Sequence, residues 1–474
     1  MTRKKNKQDI SLPLPVRLIF FLLILLCFFS TTSAQTKTKK QIRIENADSM
    51  LYNESIVKDA QRLIGNVKLT HKKMIVFCDS AWSYGSKNAV DAFGRVHIIQ
   101  NDTLNMWADY VHYNGEASMI RARRRVKLKD PRLTLTTDSL DFDTKEEIGY
   151  YNYGGTIVDS SNTLTSIIGR YYSQRDELFF KDSVKLVNDD YVMTSDTMRY
   201  NTKTEVVHIV GPTRIIGDST YLYSEEGWFD TRQNLSELTK NSTVRRGDTQ
   251  LEADYIYYDD RTGEGTAREN VIINDYTNNI IVAGGKAHYN DFSEFARVSD
   301  SALFIQCFQE DSLFLHADTL YTRPDTSSMG QKIVTSSYNV RFFKEDMQGT
   351  CDSLLYFTKD STTRLFYDPV IWSDNNQMSA DFIEIETNSP PPSFIYLTDN
   401  SFIIQEIDTT KYNQIKGKKM IGFIDGKNLY KIDVDGNGQS IYYPADDRDY
   451  IGMNKAESSK IAIYMKENKM NRIS

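Results

Sequence analysis

The sequence predicts an all-β protein built as a stack of short repeats, and three observations predict it. A phrase of Asp-Ser/Thr or Ala-Asp followed by apolar and tyrosine positions recurs about every thirty residues, and a fainter second phrase lies halfway between its copies. Apolar and polar residues alternate at period two, and no 3.6-residue period persists over a helix-length window. A fixed period of this length marks a quasi-one-dimensional stack in which each unit packs on its neighbours.

The first phrase is clearest at Ala47-Asp48-Ser49-Met50-Leu51-Tyr52, Ala108-Asp109-Tyr110-Val111-His112-Tyr113, Ser195-Asp196-Thr197-Met198-Arg199-Tyr200 and Ala253-Asp254-Tyr255-Ile256-Tyr257-Tyr258. Weaker copies sit at Asp79, Asp138, Asp318, Asp352 and Asp381. Positions 48, 79, 109 and 138 are 31, 30 and 29 apart, and the gap of 64 from 254 to 318 fits two units with a degenerate copy near Lys286. The second phrase reads Gly65-Asn66-Val67-Lys68-Leu69, Gly94-Arg95-Val96-His97-Ile98, Asp182-Ser183-Val184-Lys185-Leu186 and Glu269-Asn270-Val271-Ile272-Ile273. Each unit therefore holds two strand segments on either side of a turn.

The phase of the alternation slips by one residue at each Asp: Leu104, Met106 and Ala108 give way to Val111 and Tyr113, and Leu133 and Leu135 to Leu140 and Phe142. A one-residue slip turns the inward face outward, so the Asp marks a bulge or corner that lets both halves keep their apolar side inward. The expected role of the carboxylate is to bond nearby backbone N–H groups, as in an Asx-turn.

With 474 residues, 29 Tyr, 23 Phe and 10 Pro, the chain can bury a large apolar surface, so it reads as folded rather than as a disordered tail. The net charge of −7, with both signs interspersed, offers no cationic field for nucleic acid, and no nucleic-acid partner is expected. Residues 1–34 read as a secretory signal: Arg3, Lys4, Lys5 and Lys7 are basic, Leu18 to Phe29 apolar, and Thr32-Ser33-Ala34 a small-residue cleavage site. The expected location is the periplasm after cleavage, and an uncleaved anchor and an association with the inner or outer membrane stay open. After cleavage of the signal, which holds Cys27, three of the four cysteines remain, Cys78, Cys307 and Cys351, odd in number and scattered, so they predict buried small side chains on strands rather than a disulfide framework. Repeats fill 35–388, Ser389-Pro390-Pro391-Pro392-Ser393 breaks them, and 389–474 reads as a β-rich continuation or cap.

No nucleophile elbow, phosphate loop, paired-histidine or Cys-x-x-Cys motif is present, so no catalytic residues, metal or cofactor are assigned and the chain is not expected to be an enzyme. A β-solenoid could draw an acid/base pair from the Asp column, but an Asp in nearly every rung is what corners demand rather than what one special rung would show. Asp433-Val434-Asp435-Gly436-Asn437-Gly438 opens like a calcium loop, yet Pro444 stands at the twelfth position, and an Asp/Gly-rich hairpin is the expectation. The triplets at Asp79, Asp138 and Asp352 could accept O-glycans, although corner geometry explains them as well. The basic run Arg121, Arg123, Arg124, Arg125, Lys127 and Lys129 lies on a strand, where a solvated face that blocks edge aggregation is the ordinary use.

An export signal followed by reiterated Ala-Asp-x-apolar-x-Tyr and Gly-Asn-Val-x-apolar units resembles the OstA-like family, the organic-solvent-tolerance proteins, whose repeat is shared by the periplasmic lipopolysaccharide bridge protein. The resemblance is most specific at Leu251 to Tyr258 together with Glu269 to Ile273 and covers about residues 44–470. It implies a V-shaped, incomplete β-jelly-roll whose two walls hold the acyl chains of lipopolysaccharide in an apolar groove, with open sheet edges that meet other bridge components. Under that resemblance the candidate groove residues are Leu104, Met106, Val111, Tyr113, Leu133, Leu135, Leu140, Phe142, Met193, Met198, Tyr200, Leu251, Ala253, Ile256 and Tyr258, which are equally readable as dry core. Arg121, Arg123 and Arg125 are candidate headgroup contacts through bidentate phosphate pairing. About eleven repeats with strands about 4.8 Å apart reach on the order of 100 Å, which is long enough either to span between membranes alone or to extend a partner. Two other readings stay open: a β-solenoid that binds polysaccharide, and a periplasmic scaffold with a sealed core that binds only proteins.

Overall fold

A computed structural model describes residues 41–474 except 53–54, 56–57, 309–310, 328–330, 388–389, 427, 447–448 and 467–468. The signal read at 1–34 lies outside the described residues. The protein is all-β: 37 strands among the described residues join one antiparallel sheet, with a separate two-stranded ribbon at Ala445–Asp446 and Asp449–Tyr450.

The sheet runs as a meander of long strands, such as Ala60–His71, Met74–Tyr84, Ala89–Gln100, Leu104–Asn114 and Met119–Lys129. Each long strand bends once near its middle, so one half joins a first wall, whose hairpin turns follow His71, Gln100 and Lys129. The other half joins a second wall, whose turns follow Tyr84, Asn114 and Asp143. The walls meet along the column of bends, and their turns form two facing rims. This is the incomplete β-jelly-roll of the sequence expectation, with one hydrophobic cluster running between the walls from Leu63 to Met470. The triple proline at 390–392 falls between Phe382–Glu386 and Ser393–Asp408, two strands that pair with each other, so the sheet continues across it.

The bend is built by the second phrase rather than by the Asp. Gly65 and Asn66 (φ 73° and 46°), Gly94 and Arg95 (74° and 41°) and Glu269 and Asn270 (62° and 54°) are consecutive left-handed residues. Gly65 and Asn66 face the single residue Asp79, as Asp182 and Ser183 face Asp196. Inward positions therefore step by three across the Asp, from Cys78 to Ala81 and from Ala108 to Val111, but by four across the bulge, from Ala92 to Val96 and from Ala122 to Val126. Both strands thus turn together and keep their apolar sets inside.

The Asx-turn expected at the corner Asp is replaced by a side-chain clamp. Asn66 donates to Asp48 (2.9 Å), Asn270 to Asp254 (2.7 Å) and Asn339 to Asp318 (3.0 Å), while Arg95 and Arg125 pair with Asp79 and Asp109, each at 2.7 Å. The carboxylate is drawn away from backbone N–H groups because the left-handed bulge on the next strand presents a donor beside it. At the degenerate copy the charges reverse, with Lys286 on Asp300 at 2.8 Å. Asp433 to Gly438 is another such bend inside the single strand Asn428–Tyr442, not a hairpin, and Asp433 is held by Lys431 at 2.7 Å. Cys78 and Cys351 sit in the column of small inward residues before the corner, but Cys307 is exposed at a strand end, against expectation.

A Cβ on Gly94 would stand 2.5 Å from the Asp79 carboxylate oxygen, and a β-branched residue is strained at φ 74°. Gly94→Val should lower unfolding stability by about 2–3 kcal/mol, seen as an earlier denaturant midpoint. Gly85→Val, with open space around its Cβ and no left-handed backbone, should cost less than Gly94→Val.

Candidate functional site

The space between the walls changes character along the stack. In the N-terminal half it is packed solid: Leu128, Leu135, Leu140, Phe142, Phe180, Met193 and Met198 are almost fully buried. The rims above this core are tied together. Asn101 donates to Glu147 (2.5 Å), Gln100 to the Thr144 carbonyl (3.0 Å) and Lys72 to Ser118 (3.3 Å), and Arg132 pairs with Asp176.

Farther along, the walls part around a cavity of about 690 Å³ that opens between the rims. Its first-wall side is Val244, Leu251, Ile273, Ile280, Val282 and Phe304, and its second-wall side is Tyr289, Ala296, Val298, Leu320, Val334 and Tyr356. Arg246, Asp275, Asn278, Gln306 and Phe308 stand on one rim, and Asp291, Phe292, Glu294, Gln331, Lys332 and Thr358 on the other.

Side-chain size explains the opening. The inward positions four and two residues before the bulge carry Ile120 and Ala122, then Leu178 and Phe180, in the packed half. At the cavity the same positions carry Gly265 and Ala267, then Ala296 and Val298. The ring of Tyr289 fills the place over its cross-strand partner Gly265, but Ala296 and Val298 line the cavity where the packed half has Leu178 and Phe180, and their smaller side chains leave a void that the stiff sheets cannot collapse.

Two polar atoms face this void without partners, the Tyr289 hydroxyl and Gln306 Oε1. Burial pushes the Tyr289 hydroxyl well above the usual phenol range, so it remains a neutral donor. At one end of the cavity Arg246 reaches the Tyr258 hydroxyl (2.9 Å) and Asp291 (3.3 Å). Burial opposes the charge on Arg246, and Tyr258 and Asp291 outweigh it, so its pKa is raised. Apolar walls with a few convergent polar groups, at this volume, are the usual form of a ligand site. Among the described residues, no group of three or more His, Cys, Asp or Glu is placed to hold a metal.

All fifteen candidate groove residues are buried in the inter-wall cluster, and of these Leu251 lines the cavity. The others pack against each other, and an acyl chain would reach them only if the walls separated. Of the three candidate headgroup arginines, Arg123 holds Asp141 (2.7 Å) and Arg125 is the clamp on Asp109, while Arg121 is exposed on the outer face of the second wall. The residues that sequence reasoning missed are Tyr289, Ala296, Val298, Phe304, Gln306 and Leu320; the signal for them is the run of small residues at the two positions preceding the bulge.

Residues 39–196 match the family described as OstA-like protein. Among curated proteins, none matches the chain.

Proposed function

We propose that this chain, OstA-like over residues 39–196, is a non-enzymatic periplasmic protein that binds lipopolysaccharide and forms part of a bridge carrying it to the outer membrane. The observation that carries the reading is the cavity between Val244 and Ser361, where the two walls part around an apolar floor with a polar rim. Acyl chains occupy the floor, and each buried methylene contributes about 0.8 kcal/mol. Contact of this kind is non-directional, so a chain can shift along the floor without crossing a deep well. Sugars and phosphates stay at the rim, phosphates in reach of Lys332 and a sugar hydroxyl in reach of the unpartnered Gln306 Oε1.

Among the described residues the sheet ends on open edges, Arg43–Asn46 and Ser49–Tyr52 at one end of the stack and Lys469–Ile473 at the other. Met50 and Leu51 are more than half exposed at the first, and such edges are ready partners for another bridge component.

The reading is tested with the purified chain and a fluorescent fatty acid whose emission rises in apolar surroundings. Uptake at about one per chain, displaced by lipopolysaccharide but not by its delipidated polysaccharide, is the expected result. Displacement by the polysaccharide alone, or no uptake by folded protein, would overturn it.

A further inference from the structure

The two rims are joined by a bond repeated through the packed half, except that Gln100 faces Phe142 and ties to the Thr144 carbonyl instead (3.0 Å), and the bond lapses again where the cavity begins. Asp130 uses one carboxylate oxygen to accept the N–H groups of Arg132 (2.7 Å) and Leu133 (2.9 Å), which fixes its turn, and the other to accept the Tyr171 hydroxyl from the opposite wall. Asp159 repeats the construction, with Ser161 (2.9 Å) and Asn162 (2.7 Å) in the turn and the Tyr200 hydroxyl (2.8 Å) across the mouth. Asn162 adds a bond of 3.1 Å to the same hydroxyl. Both pairs are 41 residues apart, and His71 meets Tyr113 (2.5 Å) in the same way at a separation of 42. The next copy cannot form: Asn188 makes the turn, but Phe229 stands 41 residues on and has no hydroxyl. In the copy after that, Gly217 occupies the acceptor position, and Tyr258 turns to Arg246 and Asp291 instead. The cavity starts there.

We infer that the tyrosine row is a closure of the mouth, one that bars amphiphiles from the N-terminal half of the inter-wall space and admits them only at the opening between Val244 and Ser361. This rests on the proposed lipid-binding function of that opening and adds its regulation. The row has chemistry suited to a closure rather than to packing alone. Each tyrosine ring is core, so a tyrosine-to-phenylalanine change keeps the apolar contact and removes only the bond that ties one rim to the other. Phe142 and Phe229 show that the ring position accepts phenylalanine. Separating the rims breaks these bonds one unit at a time, as a stack of nearest-neighbour units allows.

The test uses the full chain and palmitic acid carrying a photoreactive diazirine at its methyl end, with adducts mapped to peptides by mass spectrometry. In the unaltered protein adducts should fall in peptides from 244–361 and be sparse in those from 104–200. In Tyr171→Phe/Tyr200→Phe, adducts should spread into 104–200, with opening eased about fivefold for each lost bond. Circular dichroism and unchanged labelling of 244–361 establish that the variant is folded. An unchanged adduct map in the folded double variant, or abundant labelling of 104–200 in the unaltered protein, would overturn the closure while leaving the cavity reading in place. No adducts anywhere in the unaltered protein would overturn the lipid-binding reading and, with it, the closure built on it.

Discussion

Ala296→Phe should lower fatty-acid affinity about thirtyfold while moving the thermal midpoint by only a few degrees. Ala296 faces the cavity between Tyr289 and Thr322, its neighbours on the flanking strands. A phenyl ring there takes space now empty rather than displacing packed atoms, so the usual cost of overpacking a core does not apply. The ring excludes a stretch of chain two or three methylenes long, about 2 kcal/mol of burial, which is roughly thirtyfold in affinity. Titration of the fluorescent fatty acid checks the first half, and a melting curve the second. Unaltered affinity in a folded variant would place the bound chain elsewhere.

The second large effect is expected in the packed half. Met106→Asp should destabilise the protein by on the order of 4 kcal/mol, because Met106 is 2% exposed and a carboxylate there has neither water nor a partner. Met106→Leu should cost less than about 1.5 kcal/mol, since volume is nearly conserved. Denaturant titration of the two variants side by side separates a dry core from a wet groove. A mild effect of the aspartate would mean that water already reaches the N-terminal interior. A loss of function in a Met106→Asp strain would therefore be a folding effect, and Ala296→Phe is the cleaner functional probe.

Much of the architecture was legible because the repeat is written in the phase of the apolar positions. The three-residue step across Asp79, Asp109 and Asp196 locates those bends with their inward faces. The chemistry of the bend was misread because the Asp is the more regular residue, while the bulge changes letters: Gly-Asn at 65–66, Arg-Arg at 124–125, Asp-Ser at 182–183. What these share is a left-handed backbone, which side-chain type alone does not announce.

Besides the copy at Lys286, other corners carry no Asp. Ile167 and Glu225 occupy the corner between Thr163–Ser166 and Ile168–Tyr172 and between Thr220–Ser224 and Gly227–Asp230, and Asn241 donates to Glu225 (2.9 Å) as Asn66 does to Asp48.

The site was less legible than the fold. Inward residues look alike in sequence whether the facing wall touches them or not, so Leu140 and Leu251 received the same assignment. The difference lies in their partners across the mouth, many residues away. Lining up successive units shows it, in the fall from Leu178 and Phe180 to Ala296 and Val298. The closure is likewise spread over two units, an Asp in one turn and a tyrosine 41 residues later.

The central claim is that acyl chains lie between the walls where the rims part. It is tested most directly by photo-crosslinking in living cells, with a photoreactive amino acid at Val282 and Leu320 inside the cavity and at His288 and Arg297 outside. The account predicts lipopolysaccharide adducts at Val282 and Leu320 and none at His288 and Arg297. Adducts at neither pair in a folded, exported chain, or equal adducts at both, would contradict it.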